Sequence, residues 1–242
     1  MKKLLQKNIQ LKGVGQVTIT KRKGIKNLSI RVKPKGEVGV SIPYHVSFDE
    51  AEKFIQKKTL WIEKSLEKMK RYEDQKTRFK PGKLYKTRYH TFSLESSERD
   101  SFALKKENDH VALIYPSLLQ THDEKLQAAA RWALEEIWRK EAKLYLPDRL
   151  KQLSKKYGFT YNKVFIKNLK SRWGSCSNQN NINLNLQLMR LPDHLIDYVI
   201  LHELTHTHHK NHGPDFWKTL DKLSGDAKGL AREIKKYTTR FY

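Results

Sequence analysis

One cysteine, Cys176, is all that the 242 residues contain. No disulfide can form within the chain, which suits a reducing compartment. A zinc site built from several thiolates is excluded for the same reason. No apolar run approaches the roughly 18 residues of a membrane span. The opening Met1-Lys2-Lys3-Leu4-Leu5 imitates an export signal, but Gln6, Lys7 and Asn8 interrupt any apolar core. The chain therefore reads as cytoplasmic, with no membrane partner. Repeats and low-complexity blocks are lacking. Acids are scarce: 26 Asp plus Glu stand against 49 Lys plus Arg, a net charge of +23 spread along the whole length. Such a field concentrates polyanions, so nucleic acid is a candidate partner through the basic surface. Lysine-rich solvated faces would give the same total, and charge alone does not say what is turned over.

The first third patterns as strands and then a helix. Val17-Thr18-Ile19-Thr20 alternates, and Leu28 to Val32 and Val38 to Ile42 alternate about a Pro34-Lys35-Gly36 turn, which predicts a hairpin. Ser47 with Glu50 makes a capping box for one helix over about 47–72. The charged stretch from Glu73 to Gly82 reads as a linker, and strand-like pieces follow at 89–94, 101–104 and 111–115. Thr121 with Glu124 predicts a second capping box. Leu126, Ala130, Ala133, Ile137 and Leu144 recur at helical spacing, Pro147 should kink or end that helix, and Gly158 closes a further helical stretch. Val164 to Ile166 is a strand, Ser171 to Ser177 a loop, and Asn181 to Leu188 a strand with one buried face. A helix holds Leu195, Ile196, Val199 and Ile200, Pro214 starts another, and Ala227 to Tyr237 makes the last.

His202-Glu203-Leu204-Thr205-His206 ends the first of these late helices, and His212 follows six residues on. Imidazoles at i and i+4 share a helix face and can reach one zinc ion at roughly 2.0–2.1 Å. The third ligand is contested by His208, His209 and His212. His209 lies on the same face, but seven residues of helix rise about 10.5 Å from His202, and His208 points away. Lys210-Asn211 is a plausible helix end and Gly213-Pro214 permits a reversal, which favours His212. Three protein ligands leave a fourth position open, as in catalytic rather than structural sites. Glu203 is the general-base candidate. A structural site would want a fourth protein ligand, and Cys176 is the obvious one.

Arg172-Trp173-Gly174-Ser175-Cys176-Ser177, then Asp197 through His206, then Asn211-His212-Gly213-Pro214-Asp215-Phe216-Trp217, resemble the YgjP-like metallopeptidases. Arg31 to Gly36 and the helix holding Trp61-Ile62 resemble the same family, so the likeness spans about Ile25 to Lys236. Lys83-Leu84-Tyr85-Lys86-Thr87 departs from it, lacking the Leu-Gly pair often seen there. The resemblance implies zinc on His202, His206 and His212, a catalytic Glu203, and a zincin-like half related to SprT-type proteases, which act on proteins bound to DNA.

The expected fold is α+β. A zincin-like catalytic half (119–242), with an active-site helix, a backing helix and a small sheet with a cleft-edge strand, follows a β-rich N-terminal region (1–118) with one helix. The 181–188 strand is expected at the cleft edge, where it could pair with an extended substrate. Gly174 would permit an unusual backbone turn. Arg172, at the cleft entrance, is a candidate substrate contact through a carboxylate or phosphate. The leading function is a zinc-dependent metallopeptidase acting on protein or peptide through a metal-activated water and Glu203. Two alternatives stand beside it: a metal-dependent nucleotide pyrophosphatase or phosphohydrolase, and a nucleic-acid-binding module with a structural metal.

Overall fold

A computed structural model describes residues 5–33, 36–74 and 77–239, with the backbone alone for 72–74. The class is α+β, as expected. Two compact units divide between Thr77 and Arg78. The sequence-based boundary at 118/119 falls elsewhere, because the strands between 85 and 116 share the hydrophobic core of the later unit.

In the first unit, β1 (Gln6–Leu11), β2 (Gly15–Arg22), β3 (Ser29–Val32) and β4 (Val38–Pro43) form one sheet in the order β1-β2-β4-β3. The expected hairpin is β3–β4, antiparallel with Val32 opposite Val38; Pro34 and Lys35 of its turn lie outside the described residues. β2 runs parallel to β4. Period-two alternation sends Val17, Ile19, Val38, Val40 and Ile42 to one face, where they bury against Ala51, Ile55 and Ile62. The expected single helix is two, α1 (Phe48–Lys57) and α2 (Thr59–Asp74). Lys58 leaves helical geometry as the C-cap of α1, and the Thr59 hydroxyl donates to the Gln56 carbonyl at 2.8 Å. The Ser47–Glu50 capping box is present in both directions.

The later unit begins with a second sheet, β5 (Tyr85–Lys86), β6 (Thr91–Ser97), β7 (Ala103–Glu107) and β8 (His110–Pro116), in the order β5-β6-β8-β7. Phe79, inside the expected linker, is fully buried. Gln127 clamps it, accepting from its N–H at 2.9 Å and donating to its carbonyl at 2.8 Å. Gln127 belongs to α3 (Glu124–Tyr157). The expected Thr121 cap is absent: Asp123 is the N-cap, and its carboxylate accepts from Gln120 instead. The helix does not end at Pro147 but continues to Tyr157. The carbonyl that loses its partner there belongs to Lys143, which is exposed, so water can satisfy it. Gly158 takes the left-handed cap at φ 71°.

A third sheet orders β10 (Gly174–Cys176), β11 (Ile182–Asn185) and β9 (Val164–Lys167) as β10-β11-β9. This corrects two expectations. The segment read as a loop carries β10, and β10 and β9 are the edge strands. β11 is flanked on both sides and has no free edge for a substrate. It also ends at Asn185, where the chain turns into 3-10 helix over Leu186–Arg190. Behind this sheet lies α4 (Asp193–Thr205), which buries Leu195, Ile196, Val199, Ile200 and Leu204. Arg149 of α3 grips Asp197 of α4 with two parallel bonds, at 2.7 and 2.5 Å. Arg88 bonds Asp193 and lies 3.8 Å over the Tyr145 ring. α5 (Pro214–Ser224) and α6 (Ala227–Glu233) complete the unit. Among the described residues, no helix is long and apolar enough to cross a membrane.

Candidate metal centre

α4 carries His202 and Glu203 in its last turn, and His206 is its C-cap. The chain then turns back through Gly213, whose extended backbone caps α5 with Pro214 at its first position. That reversal returns His212 to the helix end. One ligand atom from each of His202, His206 and His212 falls within a common 4.8 Å. The Nε2 atoms of His202 and His212 lie 3.1 Å apart. Two nitrogens each bound to a tetrahedral zinc at 2.0–2.1 Å would stand about 3.4 Å apart, so the spacing fits one ion between them. His206 faces the His209 carbonyl with Nδ1 at 2.9 Å. Nδ1 must therefore carry the proton, which leaves Nε2 its lone pair.

All three rings pack on Phe216, with centroids 4.9, 4.6 and 4.6 Å away. Phe216 is fully buried and forms a rigid apolar wall. Burial, with the neighbouring imidazoles, lowers the His202 pKa to about 3. His202 is thus neutral, the form a metal requires. His208 stacks on Phe159 at 5.0 Å and His209 accepts or donates at Thr219, 3.2 Å away; neither joins the group. Nor does Cys176, which packs against the core with Trp173.

Glu203 is 5% exposed, and its Oε2 is buried without a hydrogen-bond partner. Burial pushes its pKa up to about 8, against the pull of the Arg172 charge. Its carboxyl lies on β10 at Gly174. A Cβ built there would stand 2.6 Å from Oε1 and 2.7 Å from Cγ. The glycine is needed for space and not for an unusual turn, since its φ is not positive. The arginine end of this segment is held by Asn185, which is fully buried and donates to the carbonyls of Leu169 and Arg172 at 2.7 and 2.8 Å. The Arg172 side chain is exposed.

Asn185 and Phe216 were missed as site residues. Asn185 looks like one more polar member of an alternating strand. Phe216 sits four residues beyond His212 but resembles an ordinary core position of α5.

The YgjP-like, metallopeptidase domain model matches residues 26–237. The chain belongs to the YgjP-like family. Comparison with curated proteins finds no match. Among solved structures, the metallopeptidase zymogen of Pyrococcus abyssi abylysin is 26% identical, covering 38% of this chain and 93% of that one at a TM-score of 0.34. The zymogen of Methanocaldococcus jannaschii jannalysin is 23% identical, covering 38% and 94% at a TM-score of 0.34. A YgjP-like metallopeptidase domain implies a metal and a protein or peptide substrate.

Two predictions follow from the Glu203 environment of this YgjP-like chain. Gly174→Ala should destabilise the fold by about 1–3 kcal/mol through overpacking. In the Glu203→Ala background, which removes the obstructing carboxyl, the same change should cost much less. Equal costs in the two backgrounds, measured by chemical denaturation, would contradict the contact. The second concerns pH in metal-free protein. The unfolded chain ionises Glu203 near its ordinary 4.5, the folded chain only near about 8. Stability is therefore fully present below 4.5 and lost as pH rises to about 8. Glu203→Gln cannot ionise, so relative to wild type it should gain on the order of 3 kcal/mol between pH 5 and pH 8. A pH-independent difference would show that the carboxyl is already ionised in the folded state.

Proposed function

We propose that this chain is a zinc-dependent peptidase in which His202, His206 and His212 hold the ion and Glu203 moves the proton. The observation that carries the reading is the pairing of three converging imidazoles with a buried carboxyl whose Oε2 has no partner. An orphaned acid costs stability, and a site for proton transfer gives that cost a purpose. The donor set fits zinc: neutral imidazoles suit it, and three ligands leave a corner for solvent. When bound, zinc supplies Lewis acidity and brings the pKa of water down to about 7.

The chain's own groups then divide the work. The Glu203 carboxyl, whose ionised form a bound dication favours, accepts a proton and returns it to the departing amine. Phe216 shields the imidazoles on one side, and the His209 carbonyl fixes the His206 tautomer. The free edge of β10 offers backbone N–H and C=O groups to an extended peptide. Arg172, at the start of that strand, attracts a carboxylate of the substrate. The zincin-like arrangement of catalytic helix and edge strand is part of the same proposal.

The test uses zinc-loaded full-length protein with casein, a mixed peptide library and nucleoside triphosphates as substrates. Glu203→Gln should retain zinc at the wild-type stoichiometry while proteolysis falls at least about 100-fold. Arg172→Gln should raise KM for peptides bearing an acid near the cleaved bond, with a smaller effect on others. Cleavage of triphosphates without any proteolysis, or full activity in Glu203→Gln, would overturn the proposal.

A further inference from the structure

Among the described residues, the first unit packs one face of its sheet with apolar side chains and leaves the other largely open, with Thr20 buried there beneath Gln6, which donates to its hydroxyl at 3.2 Å. The same alternation that sends Val17, Ile19, Val38 and Val40 inward turns Thr18, Thr20, Arg22, Gly39, Ser41 and Arg31 to the opposite face. There they line a concave recess of about 560 Å³, which shares no residue with the histidine cluster. Its middle is open because Gly39 stands on the inner strand β4 with nothing within 4 Å of where a Cβ would be. Six of its fourteen lining residues carry a hydroxyl or an amide, joined by three cations: Arg22, Arg31 and Lys33. All three are exposed. Lys33 is paired with Glu37 at 3.0 Å, the single acid of the lining. Among the described residues, no aromatic ring lines the recess.

We infer that this sheet face binds the phosphate backbone of a nucleic acid, without reading its bases. Three features of the recess select that ligand. The sign and scarcity of acids favour a polyanion. The cations are set out in series: Arg31 stands level with Thr18 across Gly39, and Arg22 lies four residues further along β2. At about 3.3 Å per residue and two strand spacings of about 4.8 Å, their Cα atoms are about 16 Å apart. That spacing suits a chain bearing charge at intervals better than one small anion. The uncharged polar groups of the lining, Ser, Thr and Gln, are those that bond phosphate and sugar oxygens in nucleic-acid complexes. An acidic peptide would use a sheet edge and apolar pockets for alternate side chains, and this recess offers a polar face instead. Without aromatic platforms, unstacked bases gain nothing here, so binding should be indifferent to sequence.

The experiment measures fluorescence anisotropy of labelled 20-base-pair DNA and of a labelled poly-glutamate peptide against full-length protein over a salt series. The variants are Arg22→Gln/Arg31→Gln and, as a control of equal charge, Lys105→Gln/Lys106→Gln on exposed positions of β7. Both pairs are checked for wild-type circular dichroism. Wild type should bind DNA with an affinity that falls steeply with salt. The Arg22/Arg31 variant should bind at least about fivefold more weakly at low salt, with a log–log salt slope shallower by about 2. The control should stay within twofold of wild type. Equal losses in both pairs would mean diffuse charge and no site, which overturns the inference. So would unchanged DNA binding in the arginine variant, or a loss confined to poly-glutamate, which would assign the face to an acidic protein. None of these readouts depends on peptidase activity.

Discussion

The structure turns on a carboxyl kept where water cannot reach it. Glu203 sits near the end of a helix whose other faces are committed to core packing. Its carboxyl stands against Gly174 of β10. Leaving a buried oxygen without a donor is expensive. The surroundings tolerate it because α4 is anchored elsewhere, by Leu195, Ile196, Ile200 and Leu204 in the core and by the doubled Arg149–Asp197 bond to α3. Stability supplied along the helix supports strain at its tip, the usual arrangement at a reactive centre.

The same constraint explains the Arg-Trp-Gly-Ser-Cys-Ser segment. Its glycine leaves room for the acid, its arginine biases the charge of that acid, and its Trp and Cys fasten the strand to the core. Asn185 then ties the segment's start to the end of β11. A single short stretch thus sets the distance between an exposed strand edge and the helix with the histidines. The earlier unit is built on a different plan, a sheet with one apolar face and one polar face that carries Arg22, Arg31 and Lys33.

How much of this was legible in the chain follows from the range of the interactions. The histidine spacing, the turn at Gly213-Pro214, the Ser47–Glu50 box and the Gly158 cap are local, and each appears where its residues said it would. The expectation of His212 over His208 and His209 drew on helix rise, on the direction of His208 and on the reversal at Gly213-Pro214, all of them local. Two failures were local, at Thr121 and Lys58, and the others were set by distant partners. Thr121 does not cap because Asp123 lies nearer the helix start. The 47–72 helix breaks at Lys58, although its apolar stripe runs on. β10 reads as a loop because three residues, one of them glycine, carry no alternation; only β11 beside it makes them a strand. Phe79 looks like part of a charged linker, and its burial depends on Gln127, 48 residues away. The need for Gly174 is invisible without Glu203 placed against it.

The central claim, that three imidazoles and no thiolate grip one ion, is tested most directly by X-ray absorption spectroscopy of the zinc-loaded protein. The account predicts one zinc per chain in a shell of three imidazole nitrogens and one further nitrogen- or oxygen-type ligand, at about 2.0–2.1 Å. A sulfur scatterer at about 2.3 Å, which only Cys176 or a methionine could supply, or a chain that retains no stoichiometric zinc, would contradict it.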